Sequence, residues 1–119
     1  MSADQFRSPD VAAFQLAALL ENYEEHVEQL TSTSLDGAVH AQVRRELDEM
    51  RIVCVRLPLL SVPWLHVLIS HAELVQCLWD FAQPGAKSTP DRSKERHLAA
   101  IGELRMLCLR QFDRVEYGH

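Results

Sequence analysis

The side chains of this sequence that are best suited to chemistry are its histidines and cysteines. Cys54, His66 and Cys108 fall at one height when the predicted helices are paired as antiparallel neighbours. His66 belongs to a polar helix stripe, whereas both cysteines lie on apolar seams, so we expect the three side chains to point apart. We therefore predict no metal site at this layer.

The sequence also lacks the spacings that hold other metals and prosthetic groups. It contains no Cys-x-x-Cys pair, no two histidines three or four residues apart and no pair of Glu-x-x-His motifs. Structural zinc sites, haem attachment and di-iron bundles use those spacings. We predict that the protein binds no cofactor.

Catalytic arrangements are equally sparse. His66, Ser70 and Glu73 share one face of a predicted helix, but side chains on a single straight helix cannot surround a substrate. No histidine is followed by lysine at +3 and glycine at +4, as in histidine phosphotransfer domains. Because no Gly-rich phosphate loop or Gly-x-Ser-x-Gly motif is present either, we predict that the protein is not an enzyme.

His71 is the histidine placed best for a ligand. It lies inside an apolar stripe, where the common interpretation is a neutral core histidine with one hydrogen-bonded nitrogen. In an antiparallel register it is level with the small residues Ala17, Ala18, Ala100 and Gly102. Small residues either let helices approach closely or leave a cavity, so a small-ligand sensor with a pocket near His71 and Gly102 is our alternative function.

Four amphipathic helices have to position these side chains. Apolar residues recur at alternating spacings of three and four, and proline, glycine and serine interrupt the pattern between segments. The expected helices span about 9–31, 36–57, 62–82 and 90–116. Short connections and the absence of alternating strand patterns predict an all-α, antiparallel up-down four-helix bundle within one domain, 1–119.

The third helix carries more apolar surface than one seam requires. Two neighbouring stripes run along it: Leu65, Leu68, Ala72, Val75 and Trp79 in one, and Trp64, Val67, His71, Leu74, Leu78 and Phe81 in the other. A wide stripe is typical of a helix that touches two neighbours in a bundle core. The alternative is that Trp64, Leu74, Leu78 and Phe81 stay partly exposed and bind a partner, since aromatic side chains often anchor interfaces.

Composition narrows the range of partners and compartments. The formal net charge of −5 argues against a nucleic-acid or anionic-membrane partner. The most apolar stretch, 52–69, contains Arg56, Pro58, Pro63 and His66, so we expect no simple membrane span. The first ten residues lack an apolar signal region, and an odd number of cysteines favours reduced thiols, which together predict a cytoplasmic protein.

These observations favour a non-enzymatic protein–protein interaction module. A helical adaptor, a regulator or a chaperone-like protein would need no catalytic motif and would use an apolar helix face for binding. The partner would be another protein or a second copy of the chain in a homodimer.

Overall fold

The computed structural model describes residues 9–32, 36–85 and 89–117, with side chains between 11 and 111. Four helices account for almost all of this: α1 Pro9–Ser32, α2 Gly37–Cys54, α3 Ser61–Phe81 and α4 Asp91–Tyr117. The described residues form no strand. The predicted fold class, an all-α antiparallel up-down four-helix bundle, is confirmed.

Local sequence sets the ends of α2. The Asp36 side chain accepts a hydrogen bond from the backbone N–H of Ala38 at 2.9 Å and caps the helix. The helix ends at Cys54, earlier than expected, because Pro58 forces the preceding residue out of the helical region: Leu57 has φ −127° and ψ 65°. A short 3-10 turn, Pro58–Leu60, then leads directly into α3.

One apolar seam from each helix builds the core. The apolar residues that recur at spacings of three and four in α1 and α2 are buried along the described lengths of both helices. The largest contributions come from Leu16, Leu20, Tyr23, Val27 and Leu30 of α1, Val43, Leu47 and Met50 of α2, Trp64, Val67, Leu74 and Leu78 of α3, and Ile101, Leu104 and Cys108 of α4.

The helices do not pack in a closed ring. α1 packs along α2 and α4, and α4 packs along α1 and α3. α2 and α3 follow each other in the chain, but they lie on opposite sides of a groove instead of packing along their lengths. Of the four interfaces between neighbouring helices, the one between α2 and α3 is therefore open.

This opening decides which stripe of α3 is core. Trp64, Leu74 and Leu78 are buried, so the expectation that they stay partly exposed is wrong; only Phe81 of that set is exposed. The other stripe is the accessible one, with Leu65 and Trp79 about half exposed at 50% and 52%. Because α4 is the one long helix packed on α3, a single stripe is enough to fill that interface.

The segment Pro58–Phe81 is long and apolar enough to cross a membrane, judged by length and a mean hydropathy of 1.2 alone. A helix in the core of a soluble protein can satisfy the same criterion. Here the segment includes Glu73, which forms an ion pair with Arg96 of α4 at 3.7 Å.

Candidate functional site

The open interface between α2 and α3 forms a groove of about 550 Å³. α2 contributes His40, Arg44, Leu47 and Asp48 to its lining. α3 contributes Leu68, His71, Ala72, Val75, Gln76 and Trp79. Apolar side chains therefore line the α3 wall, and charged or polar groups of α2 lie opposite them.

An aromatic contact crosses the groove. The imidazole of His40 stacks on the indole of Trp79, with ring centroids 6.1 Å apart and an interplanar angle of 25°. Half of the Trp79 side chain still faces solvent. This contact positions a large apolar surface at the groove without burying it, as in binding sites that receive an apolar partner.

His71 connects the groove to a buried hydrogen-bond chain. Its Nδ1 lies 3.1 Å from Tyr23 Oη, and that oxygen is 2.6 Å from His97 Nε2. His97 Nδ1 in turn lies 2.6 Å from Ser70 Oγ, which donates to the carbonyl oxygen of Val67 at 3.1 Å. Tyr23, Ser70 and His97 are buried, and the chain joins α1, α3 and α4.

The proton positions along this chain follow from its last link. Because Ser70 gives its hydroxyl proton to Val67, it must accept from His97 Nδ1–H. The neutral imidazole then accepts at Nε2, so Tyr23 donates to it, and Tyr23 Oη accepts from His71 Nδ1–H. The remaining nitrogen, His71 Nε2, therefore carries a lone pair.

That lone pair is accessible. Among the described side chains, each polar atom that is fully buried has a hydrogen-bond partner. His71 bonds through Nδ1 and lines the groove, so its Nε2 is the acceptor that it offers there. A groove ligand with an N–H or O–H donor could bind to it.

Electrostatics keep both imidazoles neutral. Burial, with smaller contributions from His40 and Arg44 of α2, lowers the pKa of His71 to about 4. Burial and the neighbouring His71 lower the pKa of His97 to about 3. Burial, then Glu46, raises the pKa of Tyr23 well above its usual value, so the phenol remains a donor. At neutral pH both imidazoles are therefore uncharged, and the protons lie in the positions described above.

Gly102 does not join His71, contrary to the expected register. It does not line the groove, and a Cβ added to it would meet no atom within 4 Å. The residue of α4 beside His71 is His97, whose ring centroid is 5.7 Å away. Neither a shared pocket nor close helix approach exists at Gly102, because it is offset along α4 from the layer that contains His71.

The hydrogen-bond chain that runs from His71 through Tyr23 and His97 to Ser70 was not predicted from the sequence. Tyr23 lies among the apolar core residues of α1, and Ser70 lies on the helix face with His66 and Glu73 that the pattern predicts to be polar, but the structure buries it. His97 precedes Ile101 by four residues and Leu104 by seven, so it shares their seam. A histidine at a seam position of α4 was the available signal for a buried polar contact.

A second buried polar contact joins α1 to α2. His26 Nδ1 lies 2.9 and 2.8 Å from the two carboxylate oxygens of Glu46, which is buried. The pairing satisfies a carboxylate that would otherwise be costly to bury. It adds a polar contact to the otherwise apolar packing of α2 on α1.

The cysteines and His66 do not form a metal site in the described part of the chain, where no group of three or more His, Cys, Asp and Glu is arranged to hold an ion. Cys54 and Cys108 are buried free thiols. Burial raises the pKa of each to about 12, with a further contribution from Cys108 to that of Cys54. Both therefore stay protonated and act as small apolar side chains.

Comparison with known proteins assigns no relatives. No protein-family model, curated protein or solved structure matches this chain. The groove and its side chains are therefore the basis for a functional proposal. The groove combines an acceptor nitrogen of His71, the cation of Arg44 and apolar side chains.

Proposed function

We propose that this protein is a non-enzymatic interaction module that binds an amphipathic helix of another protein in the groove between α2 and α3. The observation that carries the proposal is the open interface between α2 and α3. One of the two apolar stripes of α3 has no helix packed along it, although the other three interfaces between neighbouring helices are closed.

The spacing of the groove residues supports a helical occupant. Leu68, Ala72, Val75 and Trp79 follow one another along α3 at intervals of four, three and four. A helix laid beside them would insert its own side chains between these positions, as in known helix-in-groove complexes. Leu47 supplies an apolar contact from the α2 side.

Charges on both walls would orient the occupant. Arg44 and Asp48 of α2 lie one helical turn apart on the groove lining, with Gln76 on the opposite wall. A partner helix with an acidic residue facing Arg44 and a donor facing Asp48 or His71 Nε2 would complement them. The apolar stripe would supply most of the affinity, and the polar residues at the rim would set the position of the bound helix along the groove.

Affinity capture tests the proposal. The tagged protein and the Val75→Glu and Trp79→Ser variants are used to recover partners from native lysate, with mass-spectrometric identification and stoichiometry. Leu109→Ser is the matched control, because Leu109 is an exposed apolar residue of α4 outside the groove. We expect one stoichiometric partner that the control retains and both groove variants lose.

A partner retained by Val75→Glu would show that the groove is not the binding surface. Recovery of untagged copies of the chain, lost in the same variants, would mean that the groove is used for self-association. Far-UV circular dichroism of each variant checks that the helices remain formed.

A small-ligand sensor is the second candidate, favoured by the accessible lone pair of His71. The volume of about 550 Å³ falls within the range of small-molecule sites, and Arg44 could pair with an anionic group. Thermal-shift screening tests it, since a ligand at 100 times its Kd adds about 2.7 kcal/mol to the free energy of unfolding. The shift should disappear in His71→Gln and persist in Gly102→Ala; a shift unaffected by His71→Gln would exclude this site.

A further inference from the structure

The hydrogen-bonding character of His71 in the groove depends on a side chain that lies outside the groove. Ser70 is buried and does not line the groove; it borders a depression on the α4 side of α3. Its Oγ is nevertheless the far end of the hydrogen-bond chain that reaches His71 through His97 and Tyr23. A change at Ser70 is therefore transmitted to the groove through hydrogen bonds alone.

Two proton orders satisfy this chain. In the first order, Ser70 donates to the carbonyl oxygen of Val67 and each other group donates toward Ser70, which leaves His71 Nε2 as an acceptor. In the second order, Ser70 donates to His97 Nδ1 and each following group donates away from Ser70, which leaves an N–H at His71 Nε2. The two orders differ in the positions of the protons and share the same heavy-atom contacts.

The carbonyl oxygen of Val67 decides between the two orders. The first order makes four hydrogen bonds and the second makes three, because the single hydroxyl proton of Ser70 cannot serve both Val67 and His97. One additional hydrogen bond favours the first order by roughly three- to tenfold. A serine within a helix commonly bonds to a carbonyl of the preceding turn, so this contact requires no unusual geometry.

We propose that Ser70 sets the hydrogen-bond polarity of the groove, so that the group bound at His71 Nε2 is an N–H or O–H donor. The inference rests on the proposed function, because it concerns the partner helix in the same groove. An indole or carboxamide side chain of that helix supplies such a donor. A carboxylate at this position would have to reverse the whole chain and remove the hydrogen bond to Val67. Ser70 is thus a positioning residue that acts through His71.

Nitrogen-15 NMR of the histidine rings tests this inference on the full chain without any ligand. Long-range ring spectra at neutral pH distinguish an imidazole nitrogen that carries a proton from one that carries a lone pair. The resonances of His71 are identified by their loss in His71→Gln. We expect the wild-type ring of His71 to carry its proton at Nδ1 and a lone pair at Nε2.

Three substitutions assign the effect to the hydroxyl of Ser70. In Ser70→Ala the two orders make equal numbers of hydrogen bonds, so both forms of His71 should be populated. Ser70→Thr keeps the hydroxyl, and the depression of about 360 Å³ beside it has room for the added methyl group, so the wild-type spectrum should be retained. Ser93→Ala is the matched control, because it removes a different hydroxyl between α3 and α4, 2.9 Å from Cys77 Sγ, and should leave the His71 spectrum unchanged.

Two apolar probes measure the consequence in the groove. Indole only donates a hydrogen bond and acetophenone only accepts one, and each is titrated against the wild type and Ser70→Ala with resonances of groove residues as the readout. Ser70→Ala should weaken indole binding by roughly 1.5- to 2-fold and strengthen acetophenone binding by roughly two- to fivefold, because the population of the second order rises. A purely structural effect of the substitution would change both affinities in the same direction.

Several results would overturn the inference. A proton on His71 Nε2 in the wild type would do so, even if Ser70→Ala does not fold, and so would a His71 spectrum that Ser70→Ala leaves unchanged. Probe affinities that change in the same direction would separate Ser70 from selection in the groove. Absence of binding by both probes would count against the groove as a binding site, and therefore against the proposed function, while the ring spectra would still decide the role of Ser70.

Discussion

Tyr23 Oη lies 2.6 Å from His97 Nε2, and both side chains are completely buried. This contact joins α1 to α4, and the rings meet edge to face with centroids 5.5 Å apart. Because His97 also bonds to Ser70 of α3, three helices share one polar layer inside an otherwise apolar core. Through Tyr23 the same layer is bonded to His71, which lines the groove.

Removal of the Tyr23 hydroxyl should destabilise the fold. Tyr23→Phe leaves His97 Nε2 buried without a donor, which costs about 1–3 kcal/mol in the free energy of unfolding. Urea denaturation followed by circular dichroism measures the change. Ser32→Ala removes an exposed hydroxyl that bonds within α1 and should change the value by less than about 0.5 kcal/mol. Equal effects of the two substitutions would mean that the buried chain contributes nothing to stability.

Acid should destabilise the protein through the two neutral histidines. In the unfolded chain each of these histidines is protonated near pH 6.5. In the folded chain His71 is protonated only near pH 4 and His97 only near pH 3. The stability is therefore fully present above pH 6.5 and is lost as pH falls below it, by about 1.4 kcal/mol per pH unit for each histidine that stays neutral.

Urea denaturation at pH 7.0, 6.0 and 5.0 measures this slope. His71→Gln should reduce the slope by about half, since one of the two groups is removed. His66→Gln is the control because His66 is exposed, and it should leave the slope unchanged. A flat profile between pH 6 and 5 in the wild type would show that the histidines are not held neutral.

The two apolar stripes of α3 should respond differently to a charge. Leu78→Glu places a carboxylate in the core and should unfold the protein, since burying an unpaired charge costs more than the total stability of a small domain. Leu65→Glu introduces the same charge at a half-exposed position and should retain the helical spectrum. A folded Leu78→Glu protein would contradict the assignment of that stripe to the core.

Gly102→Ala should stabilise the protein. Gly102 lies within α4, and the added Cβ would meet no atom within 4 Å, so alanine lowers the entropy of the unfolded chain without a clash. The expected gain is about 0.5–1 kcal/mol, measured as a shift of the urea midpoint at unchanged slope. Gly85→Ala is the contrast: its φ of 82° disfavours alanine, so that substitution should destabilise the protein. Destabilisation by Gly102→Ala would indicate close packing at that position.

Thiol reactivity should distinguish the three cysteines. Cys54 and Cys108 are buried with pKa values of about 12, so the native protein should react rapidly with a disulfide reagent at one thiol at most. That thiol is Cys77, which is partly exposed with its Sγ 2.9 Å from Ser93 Oγ. Cys77→Ser should abolish the fast phase, and all three positions of the wild type should react in urea. A fast phase that survives Cys77→Ser would show that a core cysteine is accessible.

The helical content and most of the core can be recognised from the sequence pattern alone. Spacings of three and four identified the seams of α1 and α2, because a helix repeats every 3.6 residues whatever it packs against. Pro58 and Asp36 marked the ends of α2 through purely local effects on backbone angles and hydrogen bonds. These features depend on neighbours in the chain, so they can be recognised without the fold.

Which surfaces stay free and which polar groups meet depends on how the helices pack on one another. Both stripes of α3 are apolar; packing against α4 buries the stripe with Leu78, and the absence of packing against α2 leaves the stripe with Trp79 exposed. The axial register of α4 pairs His71 with His97 instead of Gly102, an offset that periodicity leaves undetermined. Helical periodicity specifies faces, but the choice of neighbour and the sliding of one helix along another depend on the packing of the whole bundle.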